Sequence, residues 1–209
     1  MGKGSDDEEF LGKLTELFLA EGISSLTVAE IAGRLRCSRR RLYEVASTKE
    51  ELFYAIARRH FGRVLDKGED VSRETGDLPR VIATYLEIGA EASNRFSMQF
   101  MRDLDGSEQG RAIFDEYQVK RTMRLCELID SGVASGVFVA CHGLVVAEFI
   151  RGGARRIRDP DFLARAGVSI TDAFHEFYRV LLGGLLLDKA TAPVVYRTAS
   201  SANNSTKAQ

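Results

Sequence analysis

The 209-residue chain contains no apolar run approaching the ~20 residues needed to cross a bilayer. Its opening, Met-Gly-Lys-Gly-Ser followed by Asp6, Asp7, Glu8 and Glu9, is unlike a signal peptide, so the expectation is a cytoplasmic protein with no membrane partner. Cysteine is scarce: Cys37, Cys126 and Cys141 are odd in number, widely spaced and without CxxC or histidine at ligand spacing. That excludes a disulfide framework and leaves reduced, mostly buried thiols. No Ser-His-Asp set, catalytic carboxylate pair, glycine-rich phosphate loop or metal cluster occurs at meaningful spacing, so neither an enzyme nor a cofactor is expected. Nor does any stretch alternate apolar and polar residues long enough for a strand, which makes the expected fold all-α.

What the chain does have is helical period almost throughout. Phe10, Leu11, Leu14, Leu17 and Phe18 form one stripe, and Ser5 with Glu8 reads as a capping box before it. This spacing predicts a helix over about 6–21, ended by Gly22. Thr27 with Glu30 caps a second, short helix whose buried stripe is Val28, Ile31, Ala32 and Leu35. Arg36-Cys37 interrupts it, and Ser38 caps a third helix predicted over 39–45, with Leu42 and Val45 inward. Ser47-Thr48 with Glu50 and Glu51 opens a long helix through Leu52, Phe53, Ile56, His60, Phe61, Val64 and Leu65. Longer, more apolar helices follow from Leu78, broken near Ser93-Asn94, Asp105-Gly106, Ser131 to Gly136 and Asp159-Pro160, the last predicted over about 169–187.

The net charge of −1 conceals a strong local imbalance: Arg34, Arg36, Arg39, Arg40 and Arg41 fall close together, and the acids at 6–9 offset them elsewhere. Arg39, Arg40 and Arg41 stand in the first turn of the third helix, where the helix dipole disfavours each cation by a few tenths of a kcal/mol. A polyanion offsets that arrangement, and two short capped helices around a tight turn are the unit that lays its second helix in the DNA major groove. The competing reading of such a run is a solvated charged face, which leaves the caps and the turn unexplained.

Leu26-Thr27-Val28-Ala29-Glu30-Ile31-Ala32, Cys37-Ser38, Leu42-Tyr43 and Ser47-Thr48-Lys49-Glu50-Glu51-Leu52 resemble the N-terminal domain of the TetR/AcrR family of repressors over about residues 10–60. The resemblance implies that Thr27 and Lys49 clamp phosphates beside the groove. It also implies that Arg39, Arg40 and Arg41 contact bases and phosphates and that Tyr43 reaches the backbone with its hydroxyl; Arg36, by its charge, and Ser38 complete the expected DNA-binding set. For Tyr43, packing in the small core is the alternative. Three positions depart from the family pattern: Arg36 stands where glycine is usual, and Val45 and Ala46 where aromatics are usual. Glu44 either accepts from a cytosine or orients an arginine, the second being favoured.

The layout divides into a DNA-binding domain over 1–48, a helical effector-binding and dimerisation domain over 49–188, and a flexible tail over 189–209. For a small, largely hydrophobic effector the expected contacts are Phe96, Phe100, Met101, Phe114, Tyr117, Arg121 and Phe149, with Met98 and Met123 nearby in sequence. A dense core is the equal alternative for each. Asn94, Gln99, Arg102 and His142 are further polar candidates. Reading a palindromic operator in double-stranded DNA needs a homodimer, and the expected interface lies on the helices around Leu144 to Ile157 and Ser169 to Leu187, with Phe174, Phe177, Tyr178 and Leu181 on the second. The rival classes are an all-helical enzyme or carrier that keeps a basic patch, and an architectural DNA binder with no effector.

Overall fold

The computed structural model describes residues 3–73, 76–157 and 159–185. Among them are ten α-helices and no β-strand: α1 (Lys3–Glu21), α2 (Val28–Arg34), α3 (Arg39–Tyr43), α4 (Lys49–Ser72), α5 (Leu78–Asn94), α6 (Met98–Asp105), α7 (Glu108–Ala134), α8 (Gly143–Ile157), α9 (Pro160–Ala166) and α10 (Ile170–Leu185). No described helix is long and apolar enough to cross a membrane. The expected tail over 189–209 lies outside the described residues. α1 starts three residues before the expected position, so Ser5 lies inside the helix. α3 stops at Tyr43, because Val45 N–H turns back to the Leu42 carbonyl at 3.0 Å and ends the helical ladder two residues early.

The chain divides into two compact units, Met1–Lys67 with Glu91–Lys120, and Gly68–Ala90 with Arg121–Gln209. In the first, Leu14 and Phe18 of α1, Ile31 of α2, Leu42 of α3, Phe53 and Ile56 of α4, and Phe100 and Leu104 of α6 are all buried. The stripes legible in the sequence therefore meet in one small core, each buried Leu, Ile or Phe side chain contributing about 1.5–3 kcal/mol. Rings interlock there edge to face, Phe18 on Phe53 at 5.7 Å and Phe53 on Phe100 at 5.4 Å between centroids.

In the second unit Val81, Ile82, Tyr85, Leu86, Leu125, Ile129, Phe138, Ile150, Phe174, Tyr178 and Leu182 build the core. Gly153 on α8 lets the Phe177 ring lie against the helix, since a Cβ at that position would stand 2.7 Å from the ring. Phe174 and Tyr178, 1% and 4% exposed, are used inside the chain, and Phe177 and Leu181 pack half-buried against the same core. These four, the expected contacts of a second copy, pack on the core of their own unit, which covers much of the apolar face of α10. What α8 and α10 leave to solvent is a different set: Leu144, Val145, Phe149 and Val180.

Candidate nucleic-acid interface

Local hydrogen bonds fix the two short helices. Thr27 Oγ1 accepts from Glu30 N–H at 3.2 Å, and the Glu30 carboxylate accepts from Thr27 N–H at 2.7 Å, a complete capping box. The Thr27 backbone N–H and then its hydroxyl hold the Glu30 carboxyl below the usual carboxylate range. Ser38 Oγ accepts from Arg41 N–H at 3.2 Å and starts α3. Between them the chain turns through Arg36 at φ 51°, among the described residues the one non-glycine with positive φ. Cys37 N–H donates to the Ala32 carbonyl at 2.9 Å and Arg36 N–H to the Gly33 carbonyl at 3.2 Å. This pair of bonds is a Schellman closure with arginine where glycine is the easier residue, at a cost of about 1 kcal/mol.

The three arginines of α3 have different fates. Arg39 is exposed, and Arg40, its side chain 89% exposed, has one loose partner, Glu44 at 3.4 Å. Arg41 is tied down. Its Nη2 donates to Asp7 of α1, its Nη1 donates to Glu44 at 3.1 Å, and its guanidinium lies 4.9 Å from the centroid of the Phe10 ring. The hydrogen bonds it donates to Asp7 and then Glu44 raise its pKa above the ordinary arginine value. Glu44 thus orients arginines, as the sequence reading favours. A crevice of about 380 Å³ beside them is lined by Asp6, Glu9, Phe10, Lys13, Leu35, Arg36, Cys37, Ser38 and Arg41. Tyr43 is 51% exposed, so its ring is not spent on the core. Lys49 faces inward, donating to the carbonyls of Ile23 at 3.2 Å and Leu26 at 2.9 Å.

The loop over 22–26 is held from a second side by two residues of α6 whose role the sequence reading misses. Asp103 Oδ2 accepts from the backbone N–H groups of Ile23 and Ser24, at 2.5 and 3.0 Å. Gln99 Nε2 donates to Ser24 Oγ at 2.7 Å and to Asp103 Oδ1 at 2.8 Å. Gly22, at φ 70°, has room only for hydrogen, since a Cβ would overlap the Asp103 carboxylate. Burial pushes the Asp103 pKa up, but the Ile23 and Ser24 donors and Gln99 outweigh it and leave the carboxyl below its ordinary value. Its stabilisation is therefore present above the ordinary aspartate pKa and lost as pH falls below it. Asp103→Ala strands the two backbone donors, and chemical denaturation at neutral pH is expected to show a loss of about 1–3 kcal/mol.

Of the expected effector contacts, Phe96, Phe100, Phe114 and Tyr117 converge with Phe61, which stacks on Tyr117 at 4.6 Å and meets Phe114 at 5.6 Å and Phe96 at 5.8 Å. Phe100 and Tyr117 are buried, so this part of the cluster is core. Beside it a groove of about 230 Å³ is lined by Phe61, Gly62, Leu65, Ile113 and Tyr117, with Arg58, Glu116 and Lys120 also on its walls. Met101 is half-buried. Arg121 and Phe149 belong to the other unit. There the Arg121 guanidinium lies 5.3 Å from the Tyr85 ring centroid and occupies the space left by Gly89, and Phe149 is 70% exposed. Among the further polar candidates, Gln99 is engaged at the loop, while Asn94, Arg102 and His142 are exposed.

No protein-family model and no curated protein matches the chain. Its likeness is to solved structures. A transcriptional regulator from Saccharomonospora viridis, in complex with choline, superposes with a TM-score of 0.74 at 12% identity, over 89% of this chain and 100% of that one. The TetR family transcriptional regulator PfmR from Thermus thermophilus gives 0.60 at 17% identity, over 84% and 97%. A TetR/AcrR family regulator from Thermobifida fusca gives 0.62 at 19% identity, over 86% and 98%.

Proposed function

We propose that this chain, which has the fold of the TetR-family transcriptional regulators, is itself a cytoplasmic DNA-binding regulator, acting as a repressor on a palindromic operator. The observation that carries the reading is the closure at Arg36, which presents a Ser38-capped α3 with Arg39, Arg40 and Tyr43 all exposed. Guanidinium groups on a helix narrow enough for the major groove read guanine edges and neutralise phosphates. Thr27 is exposed at the start of α2, and Arg36 and Ser38 are exposed on the turn between α2 and α3, where short polar and cationic groups suit backbone oxygens. Lys49 acts through the fold, holding the loop that precedes α2, while Arg41 in the free protein is tied to Asp7 of α1. Selecting bound sequences from a random duplex pool tests the reading. Recovery of a palindrome supports it, and base-independent binding points to an architectural protein.

The homodimer is assigned to α8 and α10. Phe149, Val145 and Leu144 are 70%, 64% and 48% exposed on α8, and Val180 is 61% exposed on α10, an apolar surface that a second copy would cover. Phe149→Glu is expected to weaken self-association by at least about 2 kcal/mol, roughly thirtyfold, as truncating a central aromatic does. Sedimentation equilibrium reads the effect directly, and an unchanged dimer would remove this face from consideration.

The effector is assigned to the small, largely hydrophobic class. The aromatic wall of the α4 and α7 groove, with cations at Arg58 and Lys120, supports that assignment.

A further inference from the structure

We infer that Asp7 is a specificity-determining residue of the α3 surface, an internal competitor that keeps Arg41 from the phosphates of random duplex; the inference rests on the DNA-binding reading above. Arg41 is 29% exposed where Arg40 is 89% exposed, and the difference is made by partners from α1. Asp7 takes one terminal nitrogen, Glu44 the other, and Phe10 covers one face of the guanidinium. A carboxylate and a phosphate offer a guanidinium the same chemistry, an oxygen pair bearing negative charge. Asp7 therefore occupies in the free protein the place a phosphate would take, and Asp6 and Glu9 extend the negative potential along the crevice shared with Arg36 and Arg41.

A duplex gains from Arg41 only by displacing Asp7. Random backbone, which offers one imperfectly placed oxygen pair, gains little from that exchange. A site whose backbone or guanine edge is aligned by the contacts of Arg39 and Arg40 gains more. The tie thus lowers non-specific affinity, the term that is mostly phosphate contact, more than specific affinity.

The test measures dissociation constants for a duplex of random sequence and for the duplex recovered by selection, across a salt series, with wild type, Asp7→Asn, Glu9→Gln, Arg41→Ala and the Asp7→Asn/Arg41→Ala pair. Asp7→Asn is expected to tighten random-duplex binding about two- to fivefold, the scale of one exposed ion pair, and to steepen the salt slope by about one. The ratio of specific to random affinity then shrinks. Glu9→Gln removes the same charge from the same crevice, but its carboxylate is paired with Lys13 at 2.6 Å, and it is expected to change binding less. On the Arg41→Ala background the Asp7 effect should vanish. Thermal melts confirm that each variant is folded, and Asp7→Ser repeats the comparison with a shorter side chain. Asp7 variants that leave random-duplex binding unchanged or weaker, or that gain equally without Arg41, overturn the inference while the regulator reading stands. Wild type with no salt-dependent duplex binding overturns both.

Discussion

Replacing Arg39 and Arg40 together by alanine is expected to lower affinity for the selected duplex by about 100-fold at fixed salt while leaving the denaturation midpoint unchanged. Arg39 is exposed and Arg40 is almost fully so, its one ion-pair partner Glu44 standing at 3.4 Å. Neither guanidinium holds the fold, so truncation of such surface groups should stay within about 0.5 kcal/mol of wild-type stability. In the complex each contributes either a phosphate contact or a bidentate base contact worth about 1–3 kcal/mol. Two contacts near the lower half of that range sum to about 2.7 kcal/mol, which is 100-fold. A steeper loss at one base position than across the site would assign that arginine to base reading, and a uniform loss with a shallower salt slope would assign it to phosphate. Binding that survives the double substitution would sink the α3 reading altogether.

The second large effect is on stability in mild acid and comes from His60. The ring is 6% exposed, sits 5.7 Å from Phe61 and 5.6 Å from Phe96, and its Nε2 has no hydrogen-bond partner. Burial, with the cations Arg95, Lys67 and Arg63 acting against Glu16, depresses its pKa from 6.5 to about 4. Between those values the unfolded chain takes up a proton that the folded chain refuses, so stability must fall as pH drops from 6.5 toward 4. The full displacement corresponds to about 3 kcal/mol, a sizeable share of what holds a domain of this size together. Urea midpoints measured from pH 7 to pH 4 should decline across this window, and His60→Phe, which keeps the aromatic contacts without the proton site, should flatten the decline. A variant with the wild-type slope would show that another group carries it. The Asp103 contribution is separable, because its window lies lower, below the ordinary aspartate value.

The capped helices were legible because their determinants are short-range. Thr27 with Glu30, Ser38 with the Arg41 amide, and Thr48 with the Glu51 amide each join residues three apart. Periodicity likewise located the inward faces of Leu14, Phe18, Ile31 and Leu42. The positive φ at Arg36 follows from the same local pattern, an interrupted helix and a fresh cap two residues later.

What sequence left open is set by partners far along the chain. Nothing near Arg41 distinguishes it from Arg39 and Arg40; Asp7, 34 residues earlier, does. Asp103 reaches a loop 80 residues away. Apolar richness alone also cannot say whether a face is covered by its own unit or left to solvent. Phe100 and Tyr117 are core, Phe174 and Tyr178 are covered within their unit, and Phe149 is left outside.

The loop over 22–26 has a consequence for motion. Segments between helices are ordinarily the softest part of a domain, opening on their own at little free-energy cost. This one has its carbonyls held by Lys49 from α4 and its amides by Asp103 from α6, while Thr27 locks the helix that follows. Its opening must therefore wait for the release of contacts to two other helices, so its compliance is that of the packed unit and not that of a linker. A displacement of α6 is then passed to α2 as a rigid shift, with little slack in between to absorb it.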